Sequence, residues 1–298
     1  MGGHRGSSAG AQMVDPRRVW SCSSRAALIA AMAVALALSP ASGTSPVDRF
    51  DEKAAWSWLV LQVRTGPRPA GSPTSRRLAE QLRAALPRGA FQEVPGGLRN
   101  VVGFVPGRDP SRYVVVGAHY DTKDMPEFVG ANDGAGGTAV VVQLARTIEP
   151  RQIRPSVLFI LFDGEESPTG APGAFLEEGL RGSRFAAPLY RKAEAMILLD
   201  LVADRDLSIP REGLSDPVLW ARLRAAARRA GARTVFPARS QGGILDDHYP
   251  FLRAGVPAIS LIDFTYPCWH KTCDDLSRVS IRSLDAVGET VYELLRSL

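Results

Sequence analysis

Past His4 the chain holds three histidines, and two of them stand beside acids: His119-Tyr-Asp121 and Asp246-Asp-His248. The third, His270, follows Trp269. Alternate side chains of an extended segment share a face, so His119 and Asp121 project together. Asp133 sits in the glycine-rich stretch Gly130-Ala-Asn-Asp-Gly-Ala-Gly-Gly137, a turn opening into a helix. Glu165 and Glu166 are neighbours and point in different directions, so one can ligate a metal while the other handles protons. Imidazole and carboxylate ligands with a coordination position left open suit a catalytic zinc ion, whereas a structural zinc site draws more on cysteine.

Each of these signals has an ordinary reading. A His-x-Asp pair often satisfies itself at a strand end, and adjacent glutamates are usually solvated. Asp246 or Asp247 can simply cap a helix. Placement is what separates the functional reading from the ordinary one. Tyr113–Val116, Val157–Phe162, Ala195–Leu199 and Ala258–Ile262 are near-continuous apolar runs of strand length, as expected of strands buried on both faces of a mostly parallel sheet. Asn100–Val105 is a further strand candidate, ahead of a Pro-Gly turn. Helical spacing covers Thr74–Leu86, Thr138–Ile148, Pro217–Arg229 and Ser283–Leu295. Strands alternating with helices predict an α/β protein. If the four apolar strands are parallel, His119, Asp121, Glu165, Glu166, Asp200 and His270 all follow strand ends on one side, where open α/β sheets place ligand sites.

The 298 residues are 45% hydrophobic and 22% charged, a balance that supports a sizeable core. No internal repeat is present, and one domain over residues 42–298 is expected. The formal charge of +5 is concentrated ahead of residue 42, where Arg5, Arg17, Arg18 and Arg25 face only Asp15. The remainder lacks basic runs broken by aromatics, which argues against a nucleic-acid partner. Residues 1–41 read as a signal peptide or N-terminal anchor: a cationic stretch, the uncharged run Ala26–Leu38, then Ser39 and Ala41 placed for cleavage. Thirteen helical residues rise about 20 Å, short of a ~30 Å bilayer core, so export to a secreted or periplasmic location is favoured over a permanent span. Membrane contact is expected only through an uncleaved leader. Beyond that leader only Cys268 and Cys273 remain, placed for a small loop-closing disulfide or as two free thiols.

HYD at 119–121, GANDGAGG at 130–137, FDGEE at 162–166, GSR at 182–184, LLDL at 198–201, GGILDDHYPFLRAGVP at 242–257 and WH at 269–270 together carry a resemblance. From about Asn100 to Ser280 the chain resembles the zinc-dependent aminopeptidase clan and, within it, the animal-type glutaminyl-peptide cyclotransferases. The resemblance implies a three-layer α/β/α sandwich with a mostly parallel mixed central sheet, phosphorylase/hydrolase-like. It implies one zinc ion on Asp133, Glu166 and His270, with Glu165 as acid/base and Asp200 and Asp246 in its proton-handling network. Trp269 would wall the substrate pocket. In the two-metal aminopeptidases the matching second set is His119, Asp133 and Asp200, with Asp133 bridging. Peptide or protein N-termini are the implied substrates, and the protein is expected to be a monomer. Trp269 ahead of the metal histidine and the insertion Ser167–Arg181 favour the cyclases over the peptidases.

Overall fold

The computed structural model describes residues 48–169 and 174–298; the proposed leader lies outside them. Two helices open the described chain, α1 (Glu52–Thr65) and α2 (Pro73–Ala85). They are followed by β1 (Ala90–Val94), β2 (Leu98–Val105), β3 (Asp109–His119), α3 (Ala135–Thr147), β4 (Pro155–Phe162), α4 (Phe175–Glu178) and α5 (Arg181–Leu189). The remaining elements are β5 (Met196–Asp200), α6 (Pro217–Arg229), α7 (His248–Arg253), β6 (Ala258–Ile262) and α8 (Ile281–Ser297). Local chemistry sets several boundaries. Ser72 and Asp216 each accept a hydrogen bond from the backbone N–H three residues on, with Pro73 and Pro217 at the first helical position.

The strands form one sheet in the order β1-β2-β4-β3-β5-β6. β4, β3, β5 and β6 are mutually parallel, as the apolar runs predict. β2 departs from that pattern, pairing antiparallel with both β1 and β4. The sheet is therefore mixed, with its parallel half at the site. Alternation along the strands divides the core between the two faces. Val114, Val116, Phe159, Leu161, Ile197 and Leu199 join one cluster, which includes residues of α1, α3, α6 and α8. Val115, Ile160, Phe162, Met196 and Leu198 join a second, with Ala186 and Ala187 of α5 and Phe251 of α7. The result is a three-layer α/β/α sandwich. Burying each such Val, Leu, Ile or Phe side chain is worth about 1.5–3 kcal/mol, which is why the sheet is the rigid part of the molecule.

Helix α3 packs against the sheet at very close range. A Cβ at Gly137 would lie 2.1 Å from the carbonyl oxygen of Leu199, backbone against backbone, so the helix could not keep its seat. Gly137→Ala is expected to lower stability by about 2–3 kcal/mol in urea unfolding. A loss under about 0.5 kcal/mol would show that α3 is free to move away from β5.

Candidate active site

The parallel strands deliver the expected residues to one place. His119 is the last residue of β3, Asp200 the last of β5, and Glu165 and Glu166 follow the end of β4 by a short turn. Asp133 immediately precedes α3 in the glycine turn. Gly134 has φ +89, and a Cβ there would sit 2.7 Å from the Asp121 carbonyl oxygen, so this step of the turn requires glycine.

Asp133 lies between two histidines. Its Oδ1 is 3.3 Å from His119 Nε2, which is also 3.2 Å from Asp200 Oδ1. Its Oδ2 is 3.6 Å from His270 Nε2, which is 3.0 Å from Glu166 Oε1. Two sets thus share Asp133: His119, Asp133 and Asp200, and Asp133, Glu166 and His270, each with ligand atoms within 4.8 Å of one another. Asp133 Oδ2 is buried and has no hydrogen-bond partner. An orphaned carboxylate oxygen facing an imidazole and a second carboxylate fits the donor set of a zinc ion.

Burial and mutual repulsion dominate the electrostatics of these acids. Burial pushes Asp133 up to about 7 against the pull of His119, and Glu166 and Asp200 add to the rise. Burial, then the charges of Glu166, Asp247 and Asp246, hold the Glu165 carboxyl well above its usual range. Asp246 is pushed up to about 6 by burial and by Asp200. Glu166 goes the other way: burial would raise it, but His270 and Lys123 outweigh that. Lys123 Nζ is 2.9 Å from Glu166 Oε2.

A cavity of about 480 Å³ opens on the second of the two sets. It is lined by Asp133, Glu165, Glu166, Asp200, Asp246 and His270, with Ile244, Leu245, Ile262, Phe264 and Trp269 as apolar wall. Phe175, from the insertion after Glu166, completes the lining. His119 does not line it. Trp269 is 41% exposed and stacks on His270 with ring centroids 4.2 Å apart, so it belongs to the mouth of the cavity and not to the core. Of the Asp246-Asp247-His248 triplet only Asp246 faces the cavity. Asp247 holds the N-cap position of α7 without a side-chain cap bond, and His248 turns to Glu212.

Several residues that hold the site in place carry little sequence signal. Asp121 is no ligand in either set; its carboxylate accepts the backbone N–H groups of Glu165 and Glu166 at 3.2 Å each, and it lies 3.7 Å from His119 Nδ1. Asp274 accepts the N–H groups of Asn132 and Asp133 at 2.8 and 3.0 Å, and the Tyr266 hydroxyl at 2.7 Å. Arg68 is fully buried and donates to the carbonyls of Tyr120, Val129 and Gly130. Asp121 stood out in the sequence through its spacing from His119, whereas Asp274 did not. Cys268 and Cys273 are joined as a disulfide, Cα atoms 5.5 Å apart, closing the loop that presents Trp269 and His270. His270 itself sits at φ +51, a region that non-glycine residues seldom occupy.

The α/β/α sandwich thus presents, at the ends of its parallel strands, two His/carboxylate sets that share one aspartate and could each hold a metal ion. The sequence profile of peptidase family M28 matches residues 100–295, and the chain belongs to that family. Among solved structures, the glutaminyl cyclase of Porphyromonas gingivalis is 28% identical, with a TM-score of 0.74 over 84% of this chain and 99% of that one. A leucine aminopeptidase precursor from Bacteroides thetaiotaomicron is 26% identical, also with a TM-score of 0.74, over 84% and 98%. The glutaminyl-peptide cyclotransferase of Drosophila melanogaster is 27% identical over 212 residues, 58% of this chain and 58% of the relative. The chain thus matches somewhat over half the length of that relative.

The disulfide loop offers a direct check on how the site is held. Replacing both Cys268 and Cys273 with serine is expected to cost about 2 kcal/mol of stability, the loop-closure value for so short a loop. The affinity for added zinc should fall by about tenfold, as for other changes behind a metal ligand. Thermal unfolding and zinc competition against a chelator read the two effects; an unchanged zinc affinity would show that His270 is held without the bridge.

Proposed function

We propose that the protein is a zinc-dependent glutaminyl-peptide cyclotransferase, converting an N-terminal glutamine of peptides to pyroglutamate with release of ammonia. One observation carries this reading over aminopeptidase action. Only the set Asp133, Glu166 and His270 lines the cavity with all three members, while His119 of the other set does not reach it and lies behind Asp133 and Asp200. That supports one working metal position. The similarity to glutaminyl cyclases, and Trp269 stacked on His270 at the cavity mouth, point the same way.

In this reading Asp133, Glu166 and His270 hold the ion, and zinc bound there would supply Lewis acidity at the carbonyl oxygen of the substrate's side-chain amide. The protein's own residues do the rest. Trp269, Ile244 and Phe264 enclose the first side chain and keep bulk water from it. Glu165 takes a proton from the α-amine as its nitrogen bonds to the amide carbon, and returns that proton to the departing nitrogen, which leaves as ammonia. Glu165 ends as it began, and no water is consumed. Its raised proton affinity suits it to hold the proton between the two steps. Asp200 and Asp246 flank it and share that charge.

A second reading has a specific observation in its favour. The set His119, Asp133 and Asp200 is complete, so a second ion would give a two-metal aminopeptidase in which Glu165 takes the proton of the attacking water. On either reading residues 42–298 are the one catalytic domain of a monomer. Peptide or protein N-termini are the substrates, and residues 1–41 direct the enzyme to a secreted or periplasmic location.

Zinc-loaded protein is to be incubated with a Gln-initiated and a Leu-initiated peptide and both followed by mass spectrometry. Loss of ammonia from the first, with the second intact, is the expected result; release of a free first residue would replace the cyclase reading with the aminopeptidase one. Glu165→Gln should bind zinc as the parent does yet lose about 10²–10⁴-fold in turnover. A fully active E165Q would remove Glu165 from the mechanism.

A further inference from the structure

Glu212 lies outside the cavity, and its carboxylate is fully buried; among the described residues its one ion-pair partner is His248. Its hydrogen bonds go to two segments, one following it directly and the other at Ile244–His248. Oε1 accepts the N–H groups of Leu214 and Ile244 at 2.7 and 2.8 Å. Oε2 accepts the Ser215 N–H at 2.8 Å, the Ser215 hydroxyl at 3.0 Å and His248 Nε2 at 3.1 Å. Because an ionised carboxylate only accepts, His248 must carry its proton on Nε2. Burial would raise the Glu212 carboxyl, but the bonds from His248, Leu214 and Ile244 outweigh it and keep the group below its usual range.

Two of these anchors bracket Asp246. Ile244 stands two residues before it and His248 two after. The short segment that forms this wall of the cavity is thus pinned at both ends to one carboxylate. The Asp246 side chain is fixed from the same source. Its Oδ2 accepts the Ser260 hydroxyl at 2.9 Å, and the Ser260 N–H is held at 3.0 Å by the Ser215 hydroxyl that donates to Glu212. Without these ties a carboxylate already raised by burial beside Asp200 would gain by swinging away from it.

We infer that Glu212 and His248 form a buried clamp that positions Asp246 in the active site, a role that rests on the part proposed above for Asp246. Neither residue touches the substrate; both act through Asp246. The Ile244 arm keeps the apolar wall in place, and the His248 arm and the Ser215–Ser260 arm hold the acid itself. Releasing the His248 arm should therefore affect turnover more than binding.

His248→Phe keeps the ring and removes the donor, whereas His248→Gln keeps a side-chain N–H directed at Glu212. Turnover is followed on whichever of the Gln- or Leu-initiated peptides the parent enzyme converts. A failure of the cyclase reading then shows in the parent, and a failure of the clamp only in the ratio of variant to parent. H248F is expected to lower kcat about 10–100-fold with KM within about twofold, as for misplaced groups one shell from the chemistry. H248Q should restore most of it, and amide hydrogen exchange across residues 245–249 should be faster in H248F than in the parent. A kcat equal to the parent's in H248F, or an H248Q as impaired as H248F, would overturn the clamp. If H248F does not fold, Ser215→Ala releases the other arm with little loss of packing. A drop of about tenfold in kcat at constant KM supports the clamp, and parental kcat contradicts it.

Discussion

Asp133, Glu165, Glu166, Asp200, Asp246 and Asp247 are all buried at one end of the sheet. Carboxylates so placed cannot all ionise in a low-dielectric interior unless positive charge is brought to them. The protein supplies Lys123 and the buried Arg68, whose own proton affinity burial lowers to about 10 against the pull of Asp274, Asp121 and Asp133. The remaining imbalance gathers on Asp133, which turns one oxygen to each histidine and leaves Oδ2 without a hydrogen bond. A divalent cation held there by Asp133, Glu166 and His270 would relieve the Asp133–Glu166 repulsion and lower the proton affinity of Glu165. The rest of the site reads as the means of holding this arrangement together.

The fold provides those means in layers. Parallel strands β3, β4 and β5 fix the starting points of His119, the two glutamates and Asp200 to within the rigidity of a packed sheet. The site residues on less regular backbone need extra ties. Asp133 is held by two backbone N–H bonds to Asp274, His270 by the Cys268–Cys273 bridge, and Asp246 by bonds leading to Glu212. The ties to Asp274 and through Ser260 reach residues outside the loop they hold, whereas the bridge closes its own loop over five positions. The loops gain from these links the precision that the strands have from packing.

That division explains how much could be read from the sequence. Val157–Phe162 is apolar throughout and Ala258–Ile262 is so but for Ser260, because both faces are covered, so the central strands and the site residues at their ends were legible. Helix α6 was legible from its helical spacing over Pro217–Arg229. Strand β1, Ala90–Val94, was not, because its burial comes from pairing with β2 and its own pattern is weak. Helices α5 and α7 each carry an internal proline and small or polar residues, and form against the sheet and not from local preference. Helix α1 did carry signals, the Asp51 cap and the Gly66 stop, that a closer reading of that stretch would have used. Lys123, Asp274 and Glu212 look like solvated charges in sequence. Their partners, Glu166, the N–H of Asp133 and His248, lie 43, 141 and 36 residues away.

The central claim, that these buried acids are arranged around an ion, is tested most directly by titrating zinc into metal-stripped protein in a calorimeter and repeating the titration with Asp133→Asn. The account predicts saturation at one ion per chain and a higher unfolding temperature once zinc is well above its dissociation constant. At about 100-fold excess the gain is roughly 2.7 kcal/mol, and both effects should largely vanish in D133N. Binding in D133N as tight as in the parent, or no stabilisation of the parent by zinc, would contradict it.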